Sequence, residues 1–178
     1  MLKKILYTVL TDFLPIILFV LVYDRRGFAK GTIVLIISTV LVAFISYFKD
    51  KRIPLLPIFV ALTTAIFGML TLDTMNPKYI QMRDTFYDGT FAIILLISLY
   101  FKNKLILKDM FGHVFTKLND REWVIITWNW IIHFAVLSLS NEIIRRHYRH
   151  YWLDYKSFVI FLTIAHGIGL IYYFRKKL

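Results

Sequence analysis

The chain has 178 residues and 58% of them are hydrophobic, where a soluble globular chain is about 45–50% apolar, so a soluble domain of ordinary size is excluded. The formal net charge of +11 would suggest nucleic acid on a soluble protein, but here Lys and Arg flank long apolar runs, where they anchor spans in anionic headgroups, and no nucleic-acid partner is expected. Cysteine is absent, which excludes disulfides and thiolate metal sites.

Six apolar runs follow one another, at 5–23, 31–48, 53–72, 85–101, 123–140 and 157–174. Crossing the hydrocarbon core takes about 20 such residues. The runs are continuous rather than alternating. In lipid, where backbone groups must be satisfied internally, that means helices and not a barrel. The expected architecture is an all-α membrane protein, a polytopic bundle of five to six transmembrane helices with short loops, forming a single integral membrane domain over 1–178.

The first run opens with Lys3 and Lys4, like a signal peptide. It holds Asp12 and Pro15 and lacks a small-x-small cleavage site, so it is expected to be retained. Asp12 has two readings. One is a cation- or proton-carrying group inside a span. The other is an N-cap that starts a helix at Phe13. The second and third runs carry no charge. Pro15, Pro54 and Pro57 either sit in first turns or kink the helices they enter. Gly68, Gly89, Gly167 and Gly169 permit close helix approach.

In the fourth run, only 90–101 is uninterrupted after Asp88-Gly89. Asp88 is either an intramembrane group or an interfacial cap. The first and fourth runs are therefore the irregular ones, and a re-entrant or interfacial segment at either leaves five spans. In the loop 102–122, Leu105, Ile106, Leu107, Met110, Phe111, Val114 and Phe115 alternate with Lys104, Lys108, Asp109 and Lys117. This pattern suits a short helix in the headgroup plane, with Lys104 and Lys108 as headgroup or partner contacts, or else a packed loop.

In the fifth run Asn129 and His133 share a helix face at i, i+4. They either line a polar cavity or bond across helices. The segment Arg145-Arg146-His147-Tyr148-Arg149-His150-Tyr151-Trp152 reads as an interfacial belt, with Arg145, Arg146 and Arg149 on lipid phosphates. His166, beside Gly167 in the sixth run, is placed to donate to a neighbouring helix. With six spans, one side carries 13 Lys and Arg and the other 9. The positive-inside rule puts both termini with the larger number, in the cytoplasm.

Catalytic signatures are missing. There is no His-Glu-x-x-His, no Gly-x-Ser-x-Gly elbow and no phosphate loop. His147 and His150 have no carboxylate or cysteine to complete a metal site. The expectation is a non-enzyme with no catalytic residues, cofactor or metal.

Short segments carry a resemblance in their order and spacing. Asp12-Phe13-Leu14-Pro15 is followed by Phe67-Gly68-Met69-Leu70-Thr71-Leu72, and later by Leu105-Ile106-Leu107-Lys108-Asp109-Met110-Phe111-Gly112. Trp123, Trp130, Phe134 and Asn141 keep an aromatic-to-asparagine spacing, and Trp152-Leu153-Asp154-Tyr155-Lys156-Ser157-Phe158 closes the series, with Tyr155 in place of a phenylalanine. Together they resemble the bacterial intracellular septation protein A family, the inner membrane-spanning septation proteins. That resemblance implies a multi-pass protein of the bacterial inner membrane with a role in cell-envelope biogenesis, envelope integrity, membrane homeostasis and septation. It brings no catalytic residue. The mechanism expected is the organisation of membrane-protein partners of envelope synthesis or division. The reading from another class is a small transporter or lipid-handling protein using Asp12, Asn129, His133 and His166.

Overall fold

A computed structural model of the chain describes residues 2–50, 55–101, 105–112 and 115–175, without the side chains of 2–13, 49–50 and 55–57. Among the described residues all regular structure is helical. In order these are α1 (Leu2–Arg26), α2 (Phe28–Asp50), α3 (Leu55–Thr74), α4 (Lys78–Tyr100), α5 (Ile106–Phe111), α6 (Asp120–His147) and α7 (Trp152–Phe174), with one 3-10 turn at Arg149–Tyr151. The six apolar runs fall on the six long helices. Among the described residues three stretches are long and apolar enough to cross a bilayer, Phe28–Phe48, Asp120–His147 and Arg149–Phe174, and Ile58–Thr74 is a shorter apolar helix. The chain is an all-α membrane protein.

The chain forms two compact units, Met1–Arg83 and Asp84–Leu178. In the first, α1 and α2 form a hairpin joined by a single residue. Gly27 takes φ +81°, its N–H bonds Tyr23 O at 2.9 Å, and the chain reverses directly into α2. A left-handed glycine just past a helix end is a low-cost way to close that end. The reversal brings backbones close: a Cβ on Gly31 would lie 3.1 Å from Tyr23 Cα. Gly68 of α3 instead receives a side chain of α2, since a Cβ there would meet Ile36 Cδ1 at 2.6 Å.

At the end of α3, Met75 takes φ +49° and Asn76 N–H bonds Thr71 O at 3.2 Å, the geometry of a Schellman stop. Asn76 Oδ1 then accepts the N–H of Lys78 at 3.0 Å, and Pro77 leads into α4, where its missing N–H costs nothing. Inside this unit Ser38, Thr39, Thr63 and Thr71 donate to carbonyls of their own helices. That habit hides a hydroxyl without needing a neighbour. Arg83 is buried and donates from Nη1 to Thr64 Oγ1 at 3.0 Å, which ties α4 to α3.

Two sequence expectations are corrected here. α1 runs unbroken through Asp12 and Pro15, so Asp12 does not start a helix. The Asp12 side chain lies outside the described residues. α4 begins at Lys78, well before the expected 85, and Asp88 sits in its interior rather than capping it. At 23 residues α4 is about 35 Å long, enough to match the hydrocarbon thickness. The loop 102–122 does hold a short helix, α5. Pro54, Lys104 and Val114 lie outside the described residues.

Gly68→Val should be destabilising, because the added carbons enter space held by Ile36; overpacking of this kind costs about 1–3 kcal/mol. Thermal unfolding of the full chain in detergent should show a lowered midpoint. Adding Ile36→Ala should recover part of it, while additive losses would mean the two positions do not touch.

Candidate functional site

A set of charged and amide side chains of the second unit lies on matched helix faces. On α6, Ser138, Asn141, Glu142 and Arg145 follow at i, i+3, i+4 and i+7, so they share one face. On α7, Trp152, Tyr155 and Lys156 do the same over a single turn. On α4, Asp84, Thr85 and Asp88 lie within one turn. α6 reaches this region because it is well begun and long. Asn119 accepts from Glu122 N–H at 3.0 Å and Glu122 accepts from Asn119 N–H at 2.8 Å, a complete capping box. The helix then continues for 28 residues, past the last apolar position and on to His147. The 3-10 turn Arg149–Tyr151 leads straight into α7.

The faces meet as a hydrogen-bonded cluster. Asn141 is 1% exposed. Its Nδ2 donates to Thr85 Oγ1 at 2.8 Å, and its Oδ1 accepts from the Trp152 indole at 3.0 Å. Asn141 therefore joins all three helices through one amide. Ser138 Oγ donates to Thr85 O at 3.0 Å, an approach that Gly89 allows, since a Cβ there would lie 3.2 Å from the same hydroxyl. Lys156 Nζ pairs with Asp84 Oδ2 at 2.8 Å, and both side chains are buried. Glu142 accepts from the Thr85 hydroxyl at 3.2 Å and from Arg145 Nε at 3.0 Å, and Arg146 also bonds it. Tyr155, the residue standing in place of a phenylalanine, bonds Ser140 Oγ at 2.6 Å. Within the cluster the Asn141 amide, the Thr85 hydroxyl and the Asp84–Lys156 pair find partners in one another's helices.

A second cluster lies further along α6 and α7. His133 is buried, and its Nε2 lies 3.1 Å from Thr163 Oγ1. The His166 ring stacks on it, with centroids 4.4 Å apart and planes 11° from parallel. Trp130 presents its edge to His166 at 5.0 Å. The two imidazoles are in contact, with no room for water between them.

These positions sort the sequence candidates. His133 and His166 come together, but His166 does not donate across helices; its Nε2 is enclosed without a hydrogen-bond partner among the described residues. Asn129 donates to Ile125 O of its own helix at 2.9 Å. Asp88 is half-buried, one turn beyond Asp84. Arg145 is buried with its guanidinium on Glu142, whereas Arg146 and Arg149 are exposed. Lys108 is exposed and pairs with Asp120 at 2.6 Å. No group of His, Cys, Asp and Glu among the described residues could hold a metal ion.

Asp84, Thr85, Glu142 and Lys156 were read from sequence only as loop or boundary residues. The available signal was their i, i+3 and i+4 spacing, carried past the ends of the apolar runs.

Long apolar helices, hairpin reversals and a buried polar cluster at helix ends define a polytopic α-helical membrane protein. The family model described as intracellular septation protein A matches residues 7–178, and the chain belongs to that family. Among relatives named inner membrane-spanning protein YciB, the one from Haemophilus influenzae (strain PittEE) is 32% identical over 174 residues, covering 94% of this chain and 93% of the relative. The Shewanella piezotolerans relative is 30% identical over 171 residues, covering 95% and 93%. That from Pasteurella multocida is 31% identical over 170 residues, covering 93% and 92%. No solved structure matches the chain.

Lys156→Met should be strongly destabilising, since stranding one charge of a buried pair costs about 3–5 kcal/mol. The double change Asp84→Leu with Lys156→Met should recover much of that loss. Chemical unfolding of the full chain in detergent measures both. A single change within about 0.5 kcal/mol of the parent would mean the pair is solvated.

Proposed function

We propose that this chain is a non-enzymatic scaffold of the bacterial inner membrane, serving cell-envelope biogenesis, envelope integrity and septation by organising membrane-protein partners. The carrying observation is that the polar side chains gathered around Asn141 in the second unit bond one another. Asn141, Lys156 and Glu142 hold helices, Asn129 bonds its own helix, and the histidines stack. A transporter would keep such groups around a water-accessible space. The relatives' printed name supports the inner membrane, and the family's description supports septation. The excess of Lys and Arg on one side supports cytoplasmic termini; in that orientation α5 and its flanking loop would be the cytoplasmic surface offered to partners.

In a strain lacking the gene, His133→Ala and Asp12→Asn should both complement, while deletion of 105–115 should not. Crosslinking in membranes should recover proteins of envelope elongation or division with the parent chain and lose them with the deletion. Loss of complementation by both point changes, with the deletion tolerated, would favour the transport reading instead.

A further inference from the structure

An open groove of about 600 Å³ lies in the second unit, between the end of α4 and the start of α6. Leu96 and Leu99 form one wall and Val124 and Trp128 the other, with Leu105 at the base of the loop that follows α4. At one end the lining changes character, to Asp120 and Arg121 in the first turn of α6. Along that helix Arg121 and Trp128 are separated by about 10 Å, so the groove runs from a charged end into the apolar stretch of the span. This is the profile of an amphiphile: a charged head at the rim and a chain below it.

The charge at the rim has a sign. Asp120 is paired with Lys108 at 2.6 Å. Arg121 is exposed and has no ion-pair partner among the described residues. In the first turn of α6 the Glu122 N–H is taken by the Asn119 side chain, and the cation offered to an anion at this rim is the Arg121 guanidinium. We propose that this groove seats one acyl chain of an anionic phospholipid, with the phosphate on Arg121. The site is separate from the buried cluster around Asn141 and does not depend on the scaffold reading.

The test uses the full chain, purified and delipidated, with native mass spectrometry during titration with phosphatidylglycerol or phosphatidylcholine. The parent should hold phosphatidylglycerol several-fold more tightly. Arg121→Gln should weaken phosphatidylglycerol binding about fivefold and leave phosphatidylcholine unchanged, the effect of removing one basic residue near an anionic headgroup. Val124→Trp, which fills an exposed wall of the groove, should weaken both lipids. Arg26→Gln, a change at an exposed arginine in the first unit, should alter neither. Equal affinity of the parent for the two lipids would leave annular lipid only and overturn the proposal. So would an equal effect of Arg121→Gln and Arg26→Gln.

Discussion

No water reaches the hydrocarbon core of a bilayer, so every polar group carried towards it must find its partner in the protein. That constraint explains the order of this molecule. It forces helices, because only they satisfy the backbone within one segment. It then acts on side chains. In the first unit, serine and threonine hydroxyls fold back onto their own helices, which needs no neighbour. In the second unit, the Asn141 amide, the Trp152 indole and the Asp84–Lys156 pair bond between helices instead.

The Asn141 amide shows why this matters for specificity. Apolar helices in lipid have little to align them, since hydrocarbon is as good a neighbour as leucine. A buried amide that must meet Thr85 on one side and Trp152 on the other fixes both rotation and register of three helices at once. The Asp84–Lys156 pair adds a second fixed point on the same helices. Such pairs are weak evidence for stability, but they are costly to break, and that cost penalises misaligned packing.

The sequence read well where hydropathy alone decides structure. All six apolar runs became long helices, and of the four glycines expected to permit close approach Gly68 and Gly89 do so, while a Cβ on Gly167 or Gly169 would meet nothing within 4 Å among the described residues. It read poorly where polarity was taken as a sign of a loop. α6 was expected to stop at 140 and α7 to start at 157, yet the helices continue through Asn141, Glu142 and Arg145 and begin at Trp152. A charge is a sound boundary marker when it faces water. It fails when a partner on a neighbouring helix removes it from water, and one sequence does not show that partner. The same limit applies to Asn129 and His133: their spacing places them on one face, but it cannot tell that Asn129 bonds Ile125 and that His133 meets His166 from another helix. The Asn119–Glu122 capping box is a local signal, with both partners within four residues, yet hydropathy alone starts the fifth run at 123 and passes over it.

The account makes the interior of the second unit structural and leaves function to the surface. The most direct measurement is complementation of a gene-deletion strain by the double variant Asp84→Leu with Lys156→Met, expressed at parental level. The account predicts full complementation, because the charges align helices and an apolar pair of similar size can do the same. A variant that folds and inserts normally yet fails to complement would contradict it, and would make the ion pair part of the protein's working chemistry.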